Sequence, residues 1–256
     1  MSVSKLAVQL YTLRDFTKTP ADIASTLKRV KQIGYDAVQV SAIGKIEPKE
    51  LAKILTGEGL KCVATHGGLD RFRDETAAVI EEHQLWGCKY TAVGGFWPKD
   101  PTASTWSNWA ASYNEVSKKF AGSGVSLGYH NHSHELAKFG GKTALDLLFN
   151  AFDKSVWMEV DTYWITHGGG DPIAWIQKYA GRLPCVHFKD LAISPVDSKQ
   201  QMAPVGEGNL NWPGIIAACE AVGTEWFIVE QDNCNGLDPF DCLATSLRNL
   251  HALGVK

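Results

Sequence analysis

Apolar and polar positions alternate along this chain in two distinct rhythms. Ile23, Leu27, Val30 and Ile33 recur at three- and four-residue spacing, and so do Leu243, Leu247, Leu250 and Leu253. Each set predicts a helix with one buried stripe. Between such stretches lie short β-rich runs. They are Leu6–Tyr11, Ala37–Ser41, Cys62–Thr65, Tyr90–Val93, Val125–Tyr129, Val156–Asp161, Leu183–His187 and Trp226–Glu230. A glycine stands ahead of most runs, at 34, 59, 87, 124, 181 and 223, where a helix would end in a left-handed residue. Thr19-Pro20, Asp171-Pro172 and Asp238-Pro239 mark helix starts, a capping side chain before a first-turn proline.

Eight strands alternating with helices predict a parallel sheet with right-handed crossovers. Eight such units in 256 residues match an α/β chain folded as a (β/α)8 TIM barrel, one domain over residues 1–256. The competitor is a doubly wound open sheet. No GxGxxG follows the first run, so its commonest cofactor signature is missing.

Composition narrows the function classes. Hydrophobic residues make up 45% and charged residues 21%, enough apolar mass for a buried core. A net charge of −3 disfavours a general nucleic-acid binder. No run is long and apolar enough for a membrane span, and the opening MSVSKLAVQLYTLRD lacks a leader-like apolar stretch. The six cysteines form no CxxC pair and are expected to be reduced thiols of a cytoplasmic protein.

Chemistry gathers where the strands end. The third run leads into His66-Gly67-Gly68, the fifth into Gly128-Tyr129-His130-Asn131-His132-Ser133-His134-Glu135, and the sixth ends in Glu159-Val160-Asp161-Thr162-Tyr163-Trp164. The seventh ends in His187-Phe188-Lys189-Asp190 and the eighth in Glu230-Gln231-Asp232. Catalytic groups of a (β/α)8 barrel sit at these carboxyl ends. Residues two apart on a strand share a face, which pairs His187 with Lys189, Glu230 with Asp232, and His130 with His132. Asp161, His187 and Glu230 come from neighbouring strands and are expected to converge on a divalent cation: Mn²⁺, Co²⁺, Mg²⁺ or Zn²⁺. Each also has a plainer reading, as a helix cap, a core histidine or a partner for lysine. Lys189 is a candidate acid/base or clamp on a substrate oxygen, and otherwise a partner of Asp190. His66, Trp164, Asn131, Glu207 in the loop Val205–Leu210, and Gln9 on the first run are candidate substrate contacts. Trp97, Trp164 and Trp212 follow strands and suit the apolar face of a sugar ring.

At these residues the sequence resembles the xylose isomerase-like barrel superfamily, in its sugar phosphate isomerase/epimerase branch. The resemblance spans the chain and rests on Asp161 in EVDTYW, on VHFKD, on VGEGNL and on Glu230 in VEQD. It implies one divalent metal held by two Glu, one Asp and one His, of which Asp161, His187 and Glu230 match three. The first Glu does not carry over, because Gly128 stands three positions before Asn131. His130, His132 or Glu135 would have to replace it. The YHNH stretch looks more like keto-sugar lyases and inosose dehydratases of the same branch.

A metal bridging adjacent substrate oxygens favours an enediolate, with Lys189, Glu135 or a histidine to take the proton. Reprotonation gives isomerisation or epimerisation of a small sugar or keto-sugar, the leading expectation. Loss of a β-oxygen gives a lyase or dehydratase acting on a 3-keto-glycoside or inosose. A zinc endonuclease would need a basic DNA-binding face. A degenerate sugar-binding or partner subunit is the non-enzyme alternative. Partners are expected to be a small sugar and a second copy of the chain, with no nucleic acid and no membrane.

Overall fold

A computed structural model describes residues 5–256. Residues 1–4, the start of the segment read for a leader, lie outside them. Eight parallel strands close into a barrel in chain order: β1 Leu6–Gln9, β2 Ala37–Val40, β3 Lys61–Gly67, β4 Tyr90–Val93, β5 Ser126–His130, β6 Trp157–Asp161, β7 Cys185–Phe188 and β8 Trp226–Val229. β1 pairs with β8, with Ala7 beside Ile228, so the sheet has no free edge. All eight predicted strands are present, each shifted by at most two residues at either end.

Helix ends follow local chemistry. Thr19 and Asp22 form a reciprocal capping box ahead of the helix Pro20–Ile33, which ends at left-handed Gly34. Ile23, Leu27 and Val30 are buried as the stripe predicts. On the helix Pro239–Ala252 the stripe buries Leu243, Leu247 and Leu250, whereas Leu253, just past the helix, is exposed.

The pleat divides the apolar residues into two bodies. Strand residues such as Leu6, Val8, Val38, Leu127, Val160 and Phe188 pack outward against the helices in one large core. A smaller cluster of Ala7, Ala37, Val63, Ala64, Ala92, Trp157, Cys185 and Ile228 fills the barrel floor. Six of its eight members are Ala, Cys or Val, and the indole of Trp157 fills the space they leave. Two residues further along each strand the floor gives way to polar side chains: Gln9, Gln39, Glu159 and His187 are all fully buried. The barrel's upper layer is therefore a polar core, and every group in it needs a partner.

Two features were not legible in the pattern. After β7 the chain forms an antiparallel hairpin, Asp190–Ile193 with Gln200–Ala203, and a smaller one pairs Lys138–Phe139 with Lys142–Thr143. Among the described residues, no helix is long and apolar enough to cross a membrane.

Candidate active site and metal centre

The polar layer opens upward into a cavity of about 460 Å³, lined by His66, His130, His132, Lys189, Glu230 and Asp232, with Tyr11, Ser41 and Trp97 at its wall. Register explains the convergence. Asp161 on β6 lies beside His187 on β7, and His130 on β5 lies beside Glu159 on β6. His187 in turn neighbours Ile228, two residues before Glu230.

His130, Asp161, His187 and Glu230 offer ligand atoms that all lie within 4.8 Å of one another, and all four are buried. Both imidazoles have one nitrogen tied outward. His130 Nδ1 donates to the Gly94 carbonyl at 3.4 Å, leaving Nε2 3.3 Å from Asp161 Oδ2. His187 Nε2 donates to Gln39 Oε1 at 2.7 Å, leaving Nδ1 3.1 Å from Glu230 Oε2. Such outer partners fix which lone pair a metal would meet. Two imidazoles and two carboxylates suit a borderline divalent ion such as Zn²⁺, Co²⁺ or Mn²⁺. The set fits the metal that the sequence implied, with His130 in the place of the missing Glu.

Gly128 explains why the Glu is absent. It lies on the floor of the barrel, one pleat below His130. A Cβ built there would stand 2.8 Å from Cζ2 of Trp157 and closer still to the ring-fusion atoms. The indole is anchored by its Nε1–H to the Ser126 carbonyl at 3.1 Å. No longer side chain fits at 128 while Trp157 stays.

Lys189 is fully enclosed, and its ammonium lies 2.7 Å from Asp232, 3.0 Å from Glu230 and 3.3 Å from Asp161. Burial opposes its charge, but these carboxylates outweigh burial and hold it protonated well above the ordinary lysine range. That favours the clamp over the base among the two roles expected of Lys189. Burial likewise opposes ionisation of Asp161 and Glu230, yet Lys189 with the adjacent imidazoles keeps both ionised. Asp232 differs: burial and the neighbouring Glu230 push it up to about 6. His132 is pushed down by burial and by His130 and stays neutral. Its Nδ1 and the Oδ1 of Asp232 are buried without a hydrogen-bond partner.

Other predicted residues lie elsewhere. Glu135 is not brought to the cavity: its carboxylate accepts from the Tyr129 hydroxyl at 2.7 Å and the His132 amide at 2.9 Å, beneath the loop it braces. Glu207 is exposed and accepts from Asn249 at 2.8 Å. The glycine-flanked loop instead wraps Asp190, whose carboxylate accepts from the amides of Gly206 and Gly208 and from the Trp212 indole. Asn131 accepts from the Asp161 amide at 3.0 Å and so ties β5 to β6. Gln9 is buried, with Oε1 accepting from the Tyr11 amide and Nε2 unpaired. His132 lines the cavity outside the four-ligand group. Trp164 packs on His132 and lies 5.1 Å under the Lys189 ammonium. Gln39 was missed, and Glu159 and Asp232, though standing at strand ends, were given no role. For the last two the signal was the two-residue strand period, which places each one step from Asp161 or Glu230; nothing chosen on β2 pointed to Gln39.

Residues 27–251 match the family model described as the xylose isomerase-like TIM barrel. The chain belongs to this family. It is 25% identical to an inosose dehydratase of Geobacillus kaustophilus over 191 residues, which are 64% of this chain and 61% of that protein. The chain thus matches less than two thirds of that relative's length. Among solved structures, a sugar phosphate isomerase/epimerase from Parabacteroides distasonis superposes with a TM-score of 0.86 at 21% identity, covering 100% of this chain and 96% of that one. The IolI protein, solved with a bound zinc atom, gives a TM-score of 0.71 at 15% identity, covering 97% of each chain. At these identities the structural likeness establishes the barrel and nothing finer.

Proposed function

We propose that this protein is a divalent-metal-dependent enzyme that removes a proton beside the carbonyl of an inosose or small keto-sugar and then eliminates a β-hydroxyl as water. The observation that carries this reading is a pair of orphaned polar atoms on residues that line the cavity, His132 Nδ1 after β5 and Asp232 Oδ1 after β8. The four candidate ligands come from the same run of strands, β5 to the end of β8. A divalent ion held there would act as a Lewis acid on substrate oxygens.

The chain's own groups do the rest. His132 Nδ1 takes the proton on the carbon next to the carbonyl, and the C–H electron pair passes into an enolate. Asp232 gives its proton to the departing β-oxygen as that C–O bond breaks and the enolate electrons form the C=C bond, releasing water. Lys189 holds Asp161, Glu230 and Asp232 in place and donates to oxygen as charge develops. Trp164 and Trp97 offer apolar faces to the ring.

The two orphaned groups differ, an imidazole after β5 and a carboxyl after β8. A symmetric exchange between two metal-bound Glu residues has no partner here, because Gly128 and Trp157 occupy that position. Elimination needs a base for the C–H proton and an acid for the departing oxygen, and neutral His132 with Asp232 pushed up to about 6 offers one of each. The inosose dehydratase relative supports the same direction.

The test is incubation of the metal-loaded protein with inososes and keto-sugars in D₂O. Deuterium exchange beside the carbonyl together with enone absorbance is expected. His132→Ala should lose both signals, and Asp232→Asn should keep exchange and lose the enone. Exchange that leads only to an isomer or epimer would replace elimination with isomerisation. Absence of any exchange across the panel would overturn the reading.

A further inference from the structure

Beneath the candidate metal centre lies Glu159, fully buried, two residues before Asp161 on β6. Its Oε2 accepts from His66 Nε2 at 2.6 Å. Its Oε1 accepts from Gln39 Nε2 at 2.9 Å and lies 3.2 Å from His187 Nε2. Gln39 closes the ring by accepting from the same His187 nitrogen at 2.7 Å. One carboxylate thus touches a candidate metal ligand on β7, a cavity residue on β3 and a bridging amide on β2.

We propose that Glu159 is a positioning residue that sets two histidines at once, presenting His187 Nδ1 to the metal and His66 Nδ1 to a hydroxyl of the substrate. An ionised carboxylate can only accept, so each imidazole nitrogen that meets it must carry the hydrogen. Glu159 and Gln39 both accept from His187 Nε2, so Nε2 keeps its hydrogen and Nδ1, 3.1 Å from Glu230 Oε2, is the nitrogen left to face a metal. Neutral His66 likewise keeps its lone pair on Nδ1. That nitrogen has no hydrogen-bond partner among the described residues. It stands beside Gly94, where an added Cβ would approach it to 3.4 Å. Both residues line the cavity.

An acceptor in that position selects a donor. A hydroxyl satisfies it, whereas a phosphate dianion or a carboxylate offers no proton and would meet the Glu159 charge directly below. The cavity is therefore fitted at the β3 wall for a neutral polyol end. The His66, Glu159 and His187 trio also lies within ligand distance of itself. Its mutual hydrogen bonds already occupy the atoms that face one another, so it serves as a relay between the two sites and not as a second metal site.

The metal half of this proposal rests on the function proposed above, and the experiment separates the two. Histidine side-chain ¹⁵N NMR on the metal-free wild-type protein is expected to show His66 protonated at Nε2 and bare at Nδ1. His66 protonated at Nδ1 overturns the proposal with no variant and no metal involved. Titration with Zn²⁺ or Co²⁺ should then show Glu159→Gln binding about 10–100-fold more weakly than wild type, with a changed Co²⁺ absorption spectrum. His66→Ala should leave metal affinity unchanged and raise KM with little change in kcat. Wild-type metal affinity in Glu159→Gln, or a second ion per chain that is lost in His66→Ala, would overturn it. If wild type takes up no metal at all, the proposed function fails, and the NMR result still decides the His66 assignment.

Discussion

Replacing Lys189 with Met probes the charge balance of the site directly. Met is unbranched and close to the lysine stem in volume, so little packing is lost. What disappears is the one ammonium facing Asp161, Glu230 and Asp232 at 3.3, 3.0 and 2.7 Å. Breaking a buried ion pair from one side costs about 3–5 kcal/mol, because the remaining charge is left uncompensated. For a chain of this size 1 kcal/mol corresponds to roughly 2–4 °C, so the metal-free variant should melt roughly 6–20 °C below wild type. The deficit should shrink as pH falls and the stranded carboxylates take up protons. A divalent ion at a hundredfold excess over Kd adds about 2.7 kcal/mol to the folded state, so the variant should melt higher with the ion than in chelator. Thermal melts in chelator and then in Zn²⁺, Co²⁺ or Mn²⁺ measure both effects. A variant that melts with wild type in chelator, or that ignores every divalent ion, would refute the reasoning.

Two further outcomes test the frame around the site. Gly128→Ala should cost about 1–3 kcal/mol in urea unfolding by overpacking against Trp157, and Trp157→Phe in the same chain should recover part of it; an unchanged midpoint would show that the indole moves freely aside. His83, buried between the Val79 carbonyl at 2.7 Å and the Thr65 hydroxyl at 2.8 Å, is held below its ordinary value of 6.5 by burial. The unfolded chain therefore binds a proton that the folded chain refuses, so stability is fully present above pH 6.5 and falls below it. Chemical denaturation between pH 7.5 and 5 should give a shallower loss for His83→Gln than for wild type; parallel curves would remove His83 as the cause.

Much of the fold was legible because strand and helix periods differ sharply and the caps punctuate them. The eight strands and the capping of Pro20–Ile33 follow from local chemistry alone. The hairpin after β7 was not legible, because its strands pair with each other and are buried at the base and open at the tip, with no two-residue alternation to read. Within the site, Asp161, His187, Glu230 and His130 could be read from strand ends. Glu135 could not be separated from them, since the sequence shows a carboxylate near the mouth but not the Tyr129 hydroxyl that turns it away. Glu207 failed similarly: the glycines of its loop serve Asp190, which needs backbone amides close at hand. Glu159 was read at its strand end but given no role, because a buried carboxylate is costly unless several donors meet it, and those donors come from β2, β3 and β7, far apart in sequence.

The central claim is that four buried side chains hold a divalent ion, and metal analysis of the purified protein tests it most directly. Wild type reconstituted with Zn²⁺, Co²⁺ or Mn²⁺ should carry about one ion per chain, as expected of a three- or four-ligand site. Asp161→Ala, His187→Ala, Glu230→Ala and His130→Ala should each lose it, while His132→Ala and Glu135→Ala retain it. Wild type that holds no ion after reconstitution, or a His130→Ala variant that binds as wild type does, would contradict the assignment.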